Sequence, residues 1–194
     1  MQASIDFYDN VSHDCIRFFE GTSLFETALR APLQSIFFGK PEDGILVVKN
    51  LLTENGLRLI DPESIAEDIV PSANLHVKFV VDITPLMQQI CLSKQGEDSY
   101  QQKTAIFYLT ELALRDELRV QIICDTTNIR LNEIPTEISS RLLSLNNIAL
   151  KIPSVAEVEI VLKNISLHKT SAHQIKPEDC KRSYDYLWNL VGQS

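Results

Sequence analysis

The stretch SIFFGKPEDGILVVKNLL, Ser35 to Leu52, has the rhythm of a nucleotide-binding strand, loop and helix. An apolar run ends at Gly39, a turn-rich loop reaches Gly44, and a second apolar run follows. A phosphate-holding loop of this shape aims backbone N–H groups at the phosphates, adds a lysine to neutralise their charge and uses a hydroxyl to hold magnesium. Here Ile45 and Leu46 follow Gly44, and the loop itself carries Glu42 and Asp43. The stretch keeps the shape of a phosphate site and lacks the residues that hold phosphate.

Other reactive side chains form no constellation. His13, His76, His168 and His173 stand in unlike contexts, and His168 and His173 are five apart, one step off the i, i+4 spacing that places two ligands on a helix face. Cys15, Cys91, Cys124 and Cys180 include no CxxC pair, so they offer neither a zinc spacing nor a disulfide framework and are read as reduced thiols. There is no GxSxG and no cysteine with a paired histidine. No metal and no cofactor is expected, and no catalytic residue is assigned.

The 194 residues, with 44% apolar and 23% charged side chains, describe one globular domain with a substantial core. The formal charge of −8 opposes the counterion-release attraction that drives basic domains onto nucleic acid. Lys176, Lys181 and Arg182 do not make a basic patch, because Glu178 and Asp179 lie among them. No apolar run reaches the roughly 20 residues that span a bilayer, and MQASIDFYDN has neither the basic region nor the apolar core of a signal peptide. A soluble, intracellular protein is expected, in which the sequons at Asn10 and Asn164 are chance.

The elements that must position the loop follow from periodicity. CIRFFEGTSLFETALR, with Ile16, Phe19, Leu24, Phe25 and Leu29, predicts one or two short helices broken near Gly21. SIFFG reads as a buried strand, and ILVVKNLLTENG reads as a helix closed by Asn55-Gly56, although its β-branched ILVV leaves a strand open. LRLID is a strand, and DPESIAEDIV starts a helix with Asp61 as cap and Pro62 in its first turn. HVKFVVDI is apolar through its centre, as in a strand covered on both faces.

A polar loop, SKQGEDSYQQK, precedes a helix with Ile106, Leu109, Leu112 and Leu114 on its apolar positions, then the strand LRVQIICDTT. The helix PTEISSRLLSL, the strand NIALKIP and the helix SVAEVEIVLKNI complete the alternation, which implies a parallel sheet wound with helices. KPEDCKRSYDYLWNLVGQS closes the chain as an amphipathic helix with Tyr184, Leu187, Trp188 and Val191 on one face. That face belongs to the core or to a partner groove, with the core preferred.

From about Ser35 to Ile165 this order of residues resembles the core of an AAA+ ATPase. The family has a strand ending in aspartate and glutamate, a later strand ending in a polar sensor, usually asparagine, and then a helix carrying an arginine before another strand. KFVVDIT, QIICDTTN and ISSRLLSLNNIALKIPS stand in that order with Asp82, Asn128 and Arg141. The ISSRL segment and its spacing from DTTN are most similar to the initiator branch, which contains origin-recognition and Cdc-type loaders. That branch includes heterochromatin-silencing relatives of the origin complex's largest subunit whose module has lost nucleotide chemistry.

The resemblance implies an α/β, three-layer αβα parallel sheet of AAA+ type in a single domain over 1-194. It divides into a helical lead-in over 1-34, the core over 35-154 and C-terminal helices over 155-194. Aligned on the family's GxxxxGK[ST], the chain reads G-K-P-E-D-G-I-L, with Ile45 in place of the lysine, Leu46 in place of the hydroxyl and Lys40 at the start of the loop. Ile83 replaces the glutamate that activates or orients water, so the second site is also degenerate. A pseudo-ATPase is expected, in which Ile45 and Leu46 fill the vacated site.

Each implied role has a plainer alternative. Asp82 at a strand end caps the turn at Pro85, and this reading is preferred over a metal ligand. Asn128 makes local turn bonds in preference to sensing phosphate. Arg141 serves as a dipole partner or in a salt bridge near a helix C-terminus in preference to acting as an arginine finger. The lid that AAA+ modules carry after the last strand is either reduced to the final helix or belongs to a longer protein, the second being preferred.

The expected function is a non-catalytic protein-interaction domain within a larger chromatin-silencing or replication-related assembly, nuclear in location, without direct nucleic-acid or membrane binding. The alternative is an accessory subunit of an active AAA+ ring donating Arg141 in trans. Interaction candidates are Arg141, Tyr184, Leu187, Trp188 and the polar loop from Ser93 to Tyr100.

Overall fold

The computed structural model describes residues 15–62, 77–93, 99–130 and 133–169. Two short helices come first, α1 (Cys15–Phe19) and α2 (Ser23–Arg30). Strand β1 (Ser35–Gly39), a 3-10 turn (Pro41–Asp43) and helix α3 (Ile45–Glu54) follow. The open alternative at ILVV resolves as helix. Asn55 caps α3, and Gly56 takes φ +87°, which lets the Leu57 N–H reach the Leu52 carbonyl.

The remaining elements are β2 (Arg58–Ile60), β3 (Phe79–Asp82), α4 (Thr84–Leu92), α5 (Tyr100–Leu114), β4 (Val120–Asp125), α6 (Thr136–Leu143), β5 (Asn146–Ala149) and α7 (Val155–Lys169). The five strands pair in the order β2-β3-β4-β1-β5, every pair parallel. The α/β parallel architecture expected from the alternation is therefore present.

Helices cover both faces because the strands are apolar on both. Ile36, Val81 and Ile122 enter one core, with Leu86, Met87 and Ile90 of α4, Ile106 and Leu109 of α5, and Ile138 and Leu142 of α6. Their chain neighbours Phe37, Val80 and Ile123 enter the other, with Phe18, Ala28, α3 and α7. Successive strand residues point to opposite faces, so a continuous apolar run serves two layers at once.

Three sequence expectations are corrected. TPLMQQICL forms α4, which the sequence reading passed over. The polar loop is shorter than expected, since α5 begins at Tyr100. Leu114 is half-exposed and Ala113 is buried in its stead, because α5 presents positions 106, 109, 110, 112 and 113 to the core. The helix expected after Asp61, His76, and the C-terminal helix with Tyr184, Leu187 and Trp188 lie outside the described residues.

Candidate functional site

In an open parallel sheet, ligands sit beyond the carboxyl ends of the strands where adjacent connections leave to opposite faces. Here α3 leaves β1 towards one core and α6 leaves β4 towards the other, and β1 and β4 are neighbours with Gly39 paired to Asp125. The topology thus places the Gly39–Gly44 loop, Asp82 and Asp125 along one edge of the sheet.

The loop closes on itself. The Lys40 N–H donates to Asp43 Oδ2 at 2.9 Å, the Asp43 N–H to the Lys40 carbonyl at 2.9 Å and the Gly44 N–H to the Pro41 carbonyl at 3.0 Å. The Ile45 N–H leans on the Lys40 carbonyl at 3.4 Å, and Pro41 has no N–H to offer. These four N–H groups are engaged inside a single tight turn. The Asp43 carboxylate turns back onto the loop, and Glu42 lies 3.9 Å from the Lys40 ammonium.

Both glycines answer to packing. A Cβ on Gly39 would meet Leu150 Cβ at 3.0 Å and Asp43 Cβ at 3.3 Å. Gly44 takes φ +87°, and a Cβ there would meet Leu24 Cδ2 of α2 at 2.8 Å. Ile45 is fully buried in the core with Val48, Leu51 and Leu52, as expected, but Leu46 is 40% exposed. Leu46 fills nothing, since adjacent helical positions differ by about 100° in direction and the core holds Ile45.

At the end of β3, Asp82 Oδ1 accepts the Thr84 N–H at 3.1 Å, in the turn before Pro85 that this carboxylate is expected to cap. Its Oδ2 accepts the Lys49 ammonium of α3 at 2.9 Å. Burial alone would raise the Asp82 pKa; hydrogen bonds from Thr84 and Lys49 and the Lys49 charge outweigh it and hold the carboxyl below its ordinary value. The Thr84 hydroxyl accepts the Asp125 N–H at 2.8 Å, tying β4 to α4. Lys49 is the site residue that sequence reasoning missed. Ile83 is fully buried and donates its N–H to the Ile123 carbonyl.

Asn128 and Arg141 sit apart from this cluster. Asn128 is exposed and lines a cleft with Cys91, Ser93, Ser99 and Lys103. The bordering cations are already matched, Lys103 to Glu137 at 3.3 Å and Arg130 to Glu133 at 2.8 Å. Arg141 lies exposed in the last turn of α6 with its guanidinium 5.5 Å from the Phe107 ring centroid, a cation–π contact. The Cys124 thiol is pushed up to about 12 by burial and by the charges of Asp82 and Asp125, far from a nucleophile's range.

A nucleotide triphosphate with its metal does not fit these residues: the loop N–H groups named above are engaged internally, position 45 is core, and Asp82 already holds a cation. Among the described residues no group of three or more His, Cys, Asp or Glu could hold a metal ion, and no helix is long and apolar enough to cross a membrane.

No family model and no curated protein matches the chain. Among solved structures it is similar to DnaA of Aquifex aeolicus bound to AMPPCP, at 13% identity and a TM-score of 0.47 over 82% of this chain and 52% of that one. A DNA replication initiation factor gives 14% identity and a TM-score of 0.47, over 88% and 57% of the respective chains. Replication initiator DnaA bound to AMPPCP and single-stranded DNA gives 13% and 0.44, over 88% and 57%. The chain spans about half the length of these structures.

Proposed function

We propose that this domain is a non-catalytic, AAA+-like protein-interaction module that keeps the αβα scaffold and has given up nucleotide. The reading rests on the order of the Asp82, Asn128 and Arg141 segments and, above all, on the loop from Gly39 to Ile45. Its N–H groups at 40, 43, 44 and 45 bond within the turn, so admitting a phosphate would require breaking them and exposing a buried isoleucine. The initiator-like motif order makes a replication-related or chromatin-silencing assembly in the nucleus the proposed setting, with protein partners.

Calorimetric titration of the domain with ATP and ADP, each with magnesium, tests this beside an active AAA+ protein. No heat of binding at millimolar nucleotide is expected. Saturable binding would overturn the reading and return the chain to the nucleotide-binding enzymes.

A further inference from the structure

Lys49 stands one helical turn beyond Ile45, about 6 Å further along α3. Because α3 belongs to the connection from β1 to β2, and the sheet order is β2-β3-β4-β1-β5, it must cross β4 and β3 on its way. That crossing carries the second turn of α3 over the end of β3, where the Lys49 ammonium meets Asp82 at 2.9 Å with side chains only 28% and 23% exposed. Asp82 is bonded in turn to the first N–H of α4, whose Thr84 hydroxyl receives the Asp125 N–H from β4. One ammonium therefore joins a helix of one layer to the strand ends and to a helix of the opposite layer.

We propose that Lys49 is a tethered cation: at the carboxyl edge of the sheet it supplies the positive charge that a bound metal or nucleotide complex would otherwise bring to Asp82, so that the two helical layers stay joined without any ligand. The proposal rests on the non-catalytic reading and deepens it. A chain that relies on a bound ligand to order this edge has two states; with the cation covalently attached, it has one. The scaffold presents the same surfaces to a partner whatever the nucleotide or magnesium concentration.

The test is a double-mutant cycle read by thermal melting, with Lys49→Met, Asp82→Asn and both together, each measured in EDTA, in magnesium alone and in magnesium with ATP. Each single change is expected to lower the melting temperature by about 2–8 °C, the double change by no more than the larger single one, and Lys49→Arg by less than half of the Lys49→Met loss. Wild-type melting is expected to be the same in all three buffers.

Single losses that simply add would sink the tethered cation and leave the non-catalytic reading standing. A wild-type rise with magnesium and ATP would sink both. Should Lys49→Met fail to fold, the ¹H–¹⁵N signal of the Lys49 ammonium in the wild-type chain decides. It is visible in cold, mildly acidic buffer only while a persistent ion pair slows exchange with water, and its absence would overturn the proposal.

Discussion

At the scale of single residues, the phosphate loop illustrates what residue type reveals and what it hides. Absence of lysine and hydroxyl after Gly44 was legible in the sequence, because the chemistry of phosphate binding names the residue types it needs. Which of the two replacements enters the core was not legible, since Ile45 and Leu46 are both apolar and only the phase of α3 separates them. Ile45→Lys is expected to lower stability by about 3–5 kcal/mol, the scale of an uncompensated buried charge, whereas Leu46→Thr stays within about 0.5 kcal/mol. Urea denaturation reads both, and a phosphate-release assay on the double variant is expected to find no hydrolysis. Arg141→Ala is expected to lose about 0.5–1 kcal/mol through the Phe107 contact; an unchanged unfolding midpoint would leave Arg141 free to serve a neighbouring subunit. Lys49 escaped the sequence reading because a lone lysine in an apolar helix looks like an ordinary solvated position.

At the scale of elements, alternation of apolar runs and helical patterns was enough to place β1 to β5 and most helices. The two-faced strands made this easy: IFF, FVV and QII each feed two cores. What failed has physical causes. TPLMQQICL was passed over because Pro85 punctuates it, yet proline is at home in a first helical turn, where its missing N–H is not needed. The start of α5 read as loop because Tyr100 and Gln101 face solvent and Gln102 and Lys103 are polar. Gly44 shows how an element boundary carries stability: its positive φ begins α3, and its missing Cβ admits Leu24 of α2. Gly44→Ala is therefore expected to destabilise by about 1–3 kcal/mol, with the loss reduced in a Leu24→Ala background. Equal losses in both backgrounds, measured by urea denaturation, would show that backbone strain alone sets the requirement.

At the scale of the whole molecule, acid should loosen the helix packing through two identified carboxylates. Glu157 closes a capping box at the start of α7, taking the Ser154 N–H at 2.9 Å and hydroxyl at 2.8 Å on Oε2. Its Oε1 accepts the N–H and the hydroxyl of Ser23 at the start of α2. Burial would raise its pKa, but these bonds outweigh burial and bring it down to about 2. The Asp82 carboxyl is lowered as well, against its own burial, by Thr84 and Lys49. A depressed folded-state pKa means that the stabilisation is complete above the unfolded value near 4. It then fades as pH falls through the folded value. Melting temperature should hold steady from neutral pH down to about 5 and drop progressively towards pH 2. Generic positive charge also accumulates below the isoelectric point near 5.0, so the slope by itself is ambiguous. Glu157→Gln and Asp82→Asn separate the causes: each should lower the melting temperature at neutral pH and flatten the acid slope, the two variants converging on the wild-type chain near pH 2. Parallel curves displaced by a constant amount would mean that neither carboxylate holds its helices through its charge.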